Sequence, residues 1–146
     1  MAFPQAQKQF LASSEFAVIG ASTNKEKYGS RVLKWYVDRK KPVTPIHPKE
    51  ETLEGISTIR SVRDLKSPKT TSLSIITPPS LPRIFKITLG VLRDVKDLDI
   101  PAVWIQPGAE DDAVKSYIDE AGLADRVVLG GPCILVSGDD IVRSLL

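Results

Sequence analysis

The loop after the first predicted strand, within "FAVIGASTNKEKYGSRVL" (residues 16–33), has the residue types of a phosphate-binding loop. A dinucleotide fingerprint, G-x-G-x-x-G, that begins at Gly20 would need glycine at positions 22 and 25, where the chain has Ser22 and Lys25. What remains is a longer loop up to Gly29, with backbone N–H groups, hydroxyls and ammonium groups before a helix start that favours anions. The loop therefore predicts a phosphate site; a solvated connection is the alternative.

The end of the second predicted strand, "PIHPK" (residues 45–49), is basic. An NAD-binding α/β domain usually presents an Asp or Glu near this point to bind the ribose hydroxyls. This chain instead has His47 and Lys49 on either side of Pro48, and its acidic residues follow at Glu50 and Glu51. A basic pair favours a phosphate on the ribose, whereas an ordinary turn would simply expose the same residues to solvent.

Two further predicted strands end in candidate ligand contacts. The third ends in "ITPPS", where Thr77 is followed by Pro78 and Pro79, which stop the strand and form an apolar ledge before a helix. The fourth ends in "WIQPGAE", where the amide of Gln106 could bind a ligand and the following turn redirects the chain. Because ligands of open α/β sheets bind beyond the carboxyl ends of the strands, this turn adds the predicted site residues Gln106, Pro107 and Gly108.

No catalytic group is predicted, and no metal site. His47 is the single histidine, and Cys133 has no second histidine to activate it, so a small core residue is the favoured interpretation of that cysteine. The carboxylates at residues 110–112 and 139–140 are interpreted as charges at helix N-termini rather than as acid/base pairs. Trp35 and Trp104 are interpreted as packing residues.

The elements that must position these loops alternate between strand and helix. Mostly continuous apolar runs, typical of strands buried on both faces, cover residues 16–20, 43–46, 73–77, 102–105 and 127–129. Helical periodicity is visible around residues 32–37, 81–95 and 114–121, and short helices are expected at 5–12 and 139–145. Residues 49–65 predict an extended piece and at most a short helix. The chain is therefore predicted to form one α/β domain over residues 1–146, a Rossmann-like doubly wound fold of about five parallel strands flanked by helices.

Composition narrows the class of protein. The net charge of the 146 residues is +2, which gives no reason to expect nucleic acid as a partner, and no apolar run has the length of a membrane span. The single cysteine fits a reducing compartment, so a cytoplasmic location is predicted.

In order and spacing, seven motifs of the chain resemble the CoA-binding protein family, small single-domain relatives of the CoA-binding domain of the succinyl-CoA synthetase α subunit. The likeness covers residues 13–137, and "GGPCILV" resembles the family's last strand and its exit. The other motifs are "VIGAS", "KYGSRVL", "PVTPIHPK", "LEGISTIRSVRDL", "VWIQPGAEDD" and "EAGL".

The resemblance implies where a cofactor would lie. In the resembling synthetase domain, CoA lies across the carboxyl edge of the sheet, with its phosphates on the first loop and its adenosine near the second and third strand ends. Carried over to this chain, the implied contacts are Gly20, Ala21, Ser22, Lys25, Tyr28, Gly29, Pro48, Lys49, Thr77, Pro78 and Pro79.

The predicted function is a CoA- or acyl-CoA-binding module without catalytic machinery of its own, acting as a carrier, sensor or subunit. The alternative is an NADP-dependent oxidoreductase or NADP-binding regulatory protein, which the basic pair favours and the missing fingerprint opposes. A scaffold that binds no ligand is a third hypothesis. The sequence leaves open whether a protein partner or a homo-oligomer is involved.

Overall fold

The computed structural model describes residues 5–20, 28–47, 50–76, 82–105, 112–128 and 134–145. Its strands are β1 (Glu15–Ile19), β2 (Val43–Ile46), β3 (Thr52–Leu53), β4 (Ile56–Ser57), β5 (Thr71–Ile75), β6 (Val103–Ile105) and β7 (Val127–Val128). Five of them form a parallel sheet in the order β2-β1-β5-β6-β7, while β3 and β4 form a small antiparallel hairpin. The predicted strands are confirmed to within two residues where the structure describes their ends.

Five α-helices surround the sheet. They are α1 (Gln5–Leu11), α2 (Tyr28–Asp38), α3 (Pro82–Leu98), α4 (Asp112–Glu120) and α5 (Ile134–Ser144). Short 3-10 helices cover Val62–Asp64, Pro68–Thr70 and Ala124–Arg126. Within the described residues, none of the helices combines the length and the apolar character that a bilayer-spanning segment needs.

Both faces of the sheet are buried, which explains the continuous apolar runs of its strands. Successive β1 residues point to opposite faces, so Phe16 and Val18 enter one core cluster and Ala17 and Ile19 the other. The first cluster contains buried residues of α1, α2 and α5, and the second contains buried residues of α3 and α4. Helices therefore cover both faces, and the predicted doubly wound α/β fold is confirmed.

The two tryptophans are packing residues, as predicted. Trp104 is fully buried in β6, and its ring meets the ring of Phe10 edge-on, with the centroids 5.5 Å apart. Trp35 is also buried, and the Arg39 guanidinium lies over its ring at 4.4 Å from the centroid.

Residues 50–65 form the predicted extended piece and short helix. Glu54 and Gly55 form the turn of the β3–β4 hairpin with φ angles of 50° and 75°. The chain then returns to the sheet, where Ile59 forms a parallel bridge with Ile46 on the outer side of β2. The Ser61 side chain next accepts a hydrogen bond from the N–H of Arg63 and begins the 3-10 helix.

Helix α5 begins earlier than the sequence predicts. The pattern predicts a helix from residue 139 and a strand exit in "GGPCILV", but α5 already includes Ile134. That prediction is wrong because Gly138 is not a helix breaker here: it lies inside α5 against the ring of Trp35, where a larger residue would clash. Ile134 and Ile141, two turns apart, both bury their side chains in the core.

Asp139 and Asp140 are consequently not charges at a helix N-terminus, and that interpretation is wrong. Arg39, the residue after α2, donates from Nε and Nη2 to the two carboxylate oxygens of Asp139, at 2.5 and 2.8 Å, which joins the end of α2 to α5. This hydrogen bonding lowers the pKa of Asp139. Asp140 pairs with Arg143 within α5.

Two glycines in different helices, Gly138 of α5 and Gly90 of α3, are expected to respond oppositely to substitution, because only Gly138 lies against Trp35. Gly138→Ala is expected to lower the free energy of unfolding by about 1–3 kcal/mol through overpacking, because a Cβ there would lie 2.5 Å from Cζ2 of Trp35. Gly90→Ala in α3, where a Cβ meets no atom within 4 Å, is expected to raise it by about 0.5–1 kcal/mol. Urea unfolding followed by circular dichroism measures both, and shifts in the same direction would contradict the packing.

Candidate functional site

The strand order changes direction between β1 and β5, and this is the switch point where a doubly wound sheet offers a crevice for a ligand. After β1 the chain passes through α2 to β2 on one side, whereas β5, β6 and β7 follow on the other. The N–H of Ile76 donates to the carbonyl of Ile19 at 2.9 Å, so the two strands stay paired up to their carboxyl ends. The segments predicted to bind phosphate and adenosine leave the sheet here.

Four strands end at the same level. The register pairs Ile46 with Ile19, Ile19 with Ile75, and Ile75 with Ile105, so a row of isoleucines crosses the sheet at its carboxyl edge. The next residue along each strand is His47, Gly20, Ile76 or Gln106. Predicted contacts that lie far apart in sequence thus begin from one edge of the sheet.

Gly20 turns the first loop out of the sheet. Its φ angle is 108° and it is exposed, and a residue with a side chain would be strained in this conformation. Helix α2 begins at Tyr28, with Gly29 and Ser30 buried in its first turn and no acidic residue there. The first N–H groups of a helix have no partner within the helix, so this end favours a negatively charged ligand.

His47 is held by the turn that follows it. The backbone N–H of Glu50 donates to its Nδ1 at 2.9 Å, so in the neutral ring the proton is on Nε2. The backbone N–H of His47 donates to the carbonyl of Ile59, also at 2.9 Å. His47 is thus held in place at the end of β2.

Arg60 is a cation at this turn that sequence reasoning missed. Its Nη1 donates to the carbonyl of Glu50 at 2.8 Å and to that of His47 at 3.2 Å. The hydroxyl of Thr58 also donates to the Glu50 carbonyl. The bridge between Ile59 and Ile46 and the hydrogen bond from the N–H of Thr58 to the carbonyl of Glu51 bring Arg60 to this place, and an isolated arginine in a short extended segment carries no signal of the bridge.

The remaining predicted contacts lie outside the described residues, as do Cys133, Glu110 and Asp111. These contacts are Ala21, Ser22, Lys25, Pro48, Lys49, Thr77, Pro78, Pro79, Gln106, Pro107 and Gly108. Of the predicted contacts, the structure describes Gly20 and His47, which follow paired strands at one edge of the sheet, and Tyr28 and Gly29, which begin α2.

Other clefts and clusters do not compete with this edge. A cleft of about 280 Å³ opens at the opposite edge, where Glu15, Thr44 and Thr71 lie near the beginnings of their strands. Among the residues that the structure describes, no group of three His, Cys, Asp or Glu is placed to hold a metal ion.

The chain is similar to several proteins in sequence and structure. Residues 14–139 match a family described as a CoA binding domain. A conserved hypothetical protein from Pyrococcus furiosus is 31% identical, with a TM-score of 0.71 over 84% of this chain and 97% of that protein. A hypothetical protein from Pyrococcus horikoshii shares the fold, with 21% identity and a TM-score of 0.77 over 97% of this chain and 98% of that protein.

A larger enzyme also contains a similar domain. The dinucleotide forming acetyl-coenzyme A synthetase 1 of Candidatus Korarchaeum cryptofilum is 25% identical, with a TM-score of 0.64 over 81% of this chain and 26% of the synthetase. A sequence comparison with curated proteins finds no match. The family match and the Pyrococcus furiosus relative confirm the resemblance seen in the sequence motifs: the chain belongs to the family of CoA-binding domains.

Proposed function

We propose that this chain binds CoA or acyl-CoA across the carboxyl edge of its sheet. The observation that carries the proposal is the level row of strand ends at the switch point, from which Gly20 leaves with a φ angle of 108°. Membership of the CoA-binding domain family supports the identity of the ligand.

In this proposal each strand end has a separate role. The loop between Gly20 and Gly29 and the start of α2 bind the pyrophosphate through backbone N–H groups. The ends of β2 and β5 hold the adenosine, with Lys49 and His47 at the ribose phosphate. The segments that begin at Thr77 and Gln106 complete the site.

We further propose that the chain acts as a carrier, sensor or subunit rather than as a catalyst. His47 is the single histidine of the sequence, and its Nδ1 already accepts a hydrogen bond from the turn. A general base at that nitrogen would have to give up this bond, so a binding role suits the geometry better.

Calorimetric titration with CoA, acetyl-CoA, NAD and NADP tests the ligand. CoA or acetyl-CoA should bind with a micromolar dissociation constant, equivalent to about 8 kcal/mol, and NAD much more weakly. Tighter binding of NADP than of either CoA or acetyl-CoA would favour the nicotinamide alternative and overturn the proposal.

Lys49→Ala is expected to weaken CoA binding by about 1–3 kcal/mol, the scale of a charge-assisted hydrogen bond. Dephospho-CoA lacks the 3′-phosphate on the ribose, so its binding should be weakened much less. The difference between the two ligands isolates the contact, as in a double-mutant cycle. Equal losses for both would assign Lys49 to the pyrophosphate or to the general field.

A further inference from the structure

We propose that Arg60 binds a phosphate at the ribose end of the ligand and sets the preference for a phosphorylated over an unphosphorylated ribose. This inference rests on the proposed function, because it takes the end of β2 as the nucleotide side of the site. It adds a specificity-determining residue from the segment after the β3–β4 hairpin.

The position of Arg60 is fixed by backbone pairing. Ile59 donates to the carbonyl of Pro45 at 3.1 Å and accepts from the N–H of His47 at 2.9 Å. Arg60 is the next residue, so its backbone lies beside the point where the chain leaves β2. Through this pairing, residues 58–60 lie along the outer side of the turn that carries His47 and Glu50.

Arg60 uses one part of its guanidinium to hold this turn. Both of its hydrogen bonds, to the carbonyls of Glu50 and His47, come from Nη1. In the described part of the chain, Nε and Nη2 make no hydrogen bond, and the residue is exposed. An arginine presents five N–H donors in a planar fork that matches phosphate oxygens, so donors remain for a ligand while Nη1 keeps the fork in place.

The negative charge of the turn at residues 47–51 also favours a second cation near the proposed phosphate. Residues 47–51 contain one lysine and two glutamates, so with a neutral His47 this turn alone has a charge of −1. Within the described residues, Arg60 has no carboxylate partner, whereas Arg39, Arg63, Arg126 and Arg143 each pair with an aspartate. The positive charge of Arg60, which has no carboxylate partner among the described residues, therefore balances the excess negative charge of residues 47–51 at the place where a phosphate would bind.

Two nucleotide fragments separate phosphate recognition from a purely structural role. We would titrate the wild-type protein and its variants with adenosine 3′,5′-bisphosphate and with adenosine 5′-monophosphate, followed by NMR. Arg60→Gln is expected to weaken binding of the bisphosphate by about tenfold or more and binding of the monophosphate by less than about threefold, because only the former has a phosphate on the 3′-oxygen of its ribose. Arg60→Lys should restore part of the loss, since it keeps the charge without the fork.

Arg63→Gln is the matched control. It removes the same charge three positions along the chain, where Arg63 instead pairs with Asp94 and Asp97 of α3. The affinities for both fragments should stay within about twofold of the wild type, because long-range effects of exposed charges are screened by salt. Thermal unfolding of every variant checks that it is folded.

Equal weakening of both fragments by Arg60→Gln would make Arg60 a support of the turn only and would overturn the inference, as would no weakening. A wild-type protein that binds neither fragment would overturn it too. A parallel CoA titration keeps the two proposals distinct. If CoA binds tightly but the fragment affinities do not change with substitution of Arg60, this inference alone is wrong. If binding of the bisphosphate depends on Arg60 but CoA does not bind, the proposed function alone is wrong.

Discussion

Trp104→Ala is expected to lower the free energy of unfolding by about 3–5 kcal/mol, the usual cost of removing a buried tryptophan. Trp104 is fully buried in β6, between β5 and β7, where it pairs with Ser74 and Val128. The missing indole would leave a cavity beside Phe10, and a residue within a paired strand can shift little to fill it. A loss of this size is a large part of the stability of an ordinary domain.

Urea unfolding followed by far-UV circular dichroism measures the change in the free energy of unfolding without depending on tryptophan fluorescence. Leu145→Ala is the control, since Leu145 is 41% exposed and its truncation should change stability by less than about 0.5 kcal/mol. The loss of stability caused by Trp104→Phe should fall between those caused by Trp104→Ala and Leu145→Ala. A loss below about 1 kcal/mol for Trp104→Ala would mean that the core closes around the gap.

Gly20→Val is expected to weaken CoA binding by about 1–3 kcal/mol or more, equivalent to about fivefold to over a hundredfold, because a β-branched residue is strained at positive φ. The φ angle of Gly20 is 108° at the point where the chain leaves β1. Either the valine moves the loop away from the switch point, or its side chain occupies the space in which the backbone would approach a phosphate. Both outcomes remove the pyrophosphate contact.

Gly55→Val is the matched control for strain. Gly55 has a φ angle of 75° in the β3–β4 turn, where a Cβ would meet no atom within 4 Å. Gly55→Val should lower the free energy of unfolding by about as much as Gly20→Val does, and it should leave CoA affinity unchanged. Ser22→Ala removes one hydroxyl and should weaken CoA by about 1 kcal/mol. A folded Gly20→Val protein that binds CoA as tightly as the wild type would exclude the first loop from the site.

Apolar runs were sufficient to predict the sheet. Strands such as β1 and β5 are covered on both faces, so most of their residues are apolar or small. The alternation with helices indicated a parallel, doubly wound sheet, and the structure adds the order of its strands. Gly20 and His47 could be predicted to lie at the carboxyl edge because each directly follows a strand end.

Arg60 and the start of α5 depend on contacts between residues far apart in sequence. Arg60 reaches the turn of His47 and Glu50 partly through the pairing of Ile59 with Ile46, which no local pattern in residues 50–65 specifies. Gly138 has a low helix propensity, and only the nearby ring of Trp35 makes a glycine favourable at that position. Tertiary packing decided both.

The outer side of β2 determines how the sheet meets other chains. Pro45 O and His47 N point outward and are both bonded to Ile59, and Pro45, having no N–H, lacks an outward donor of its own. An exposed strand edge can recruit a strand from another molecule and begin aggregation, and natural proteins protect such edges with proline or by covering them. At β2 the chain does both, with Pro45 in the strand and residues 58–60 along its outer side, so intermolecular strand addition is blocked beside the turn that carries His47.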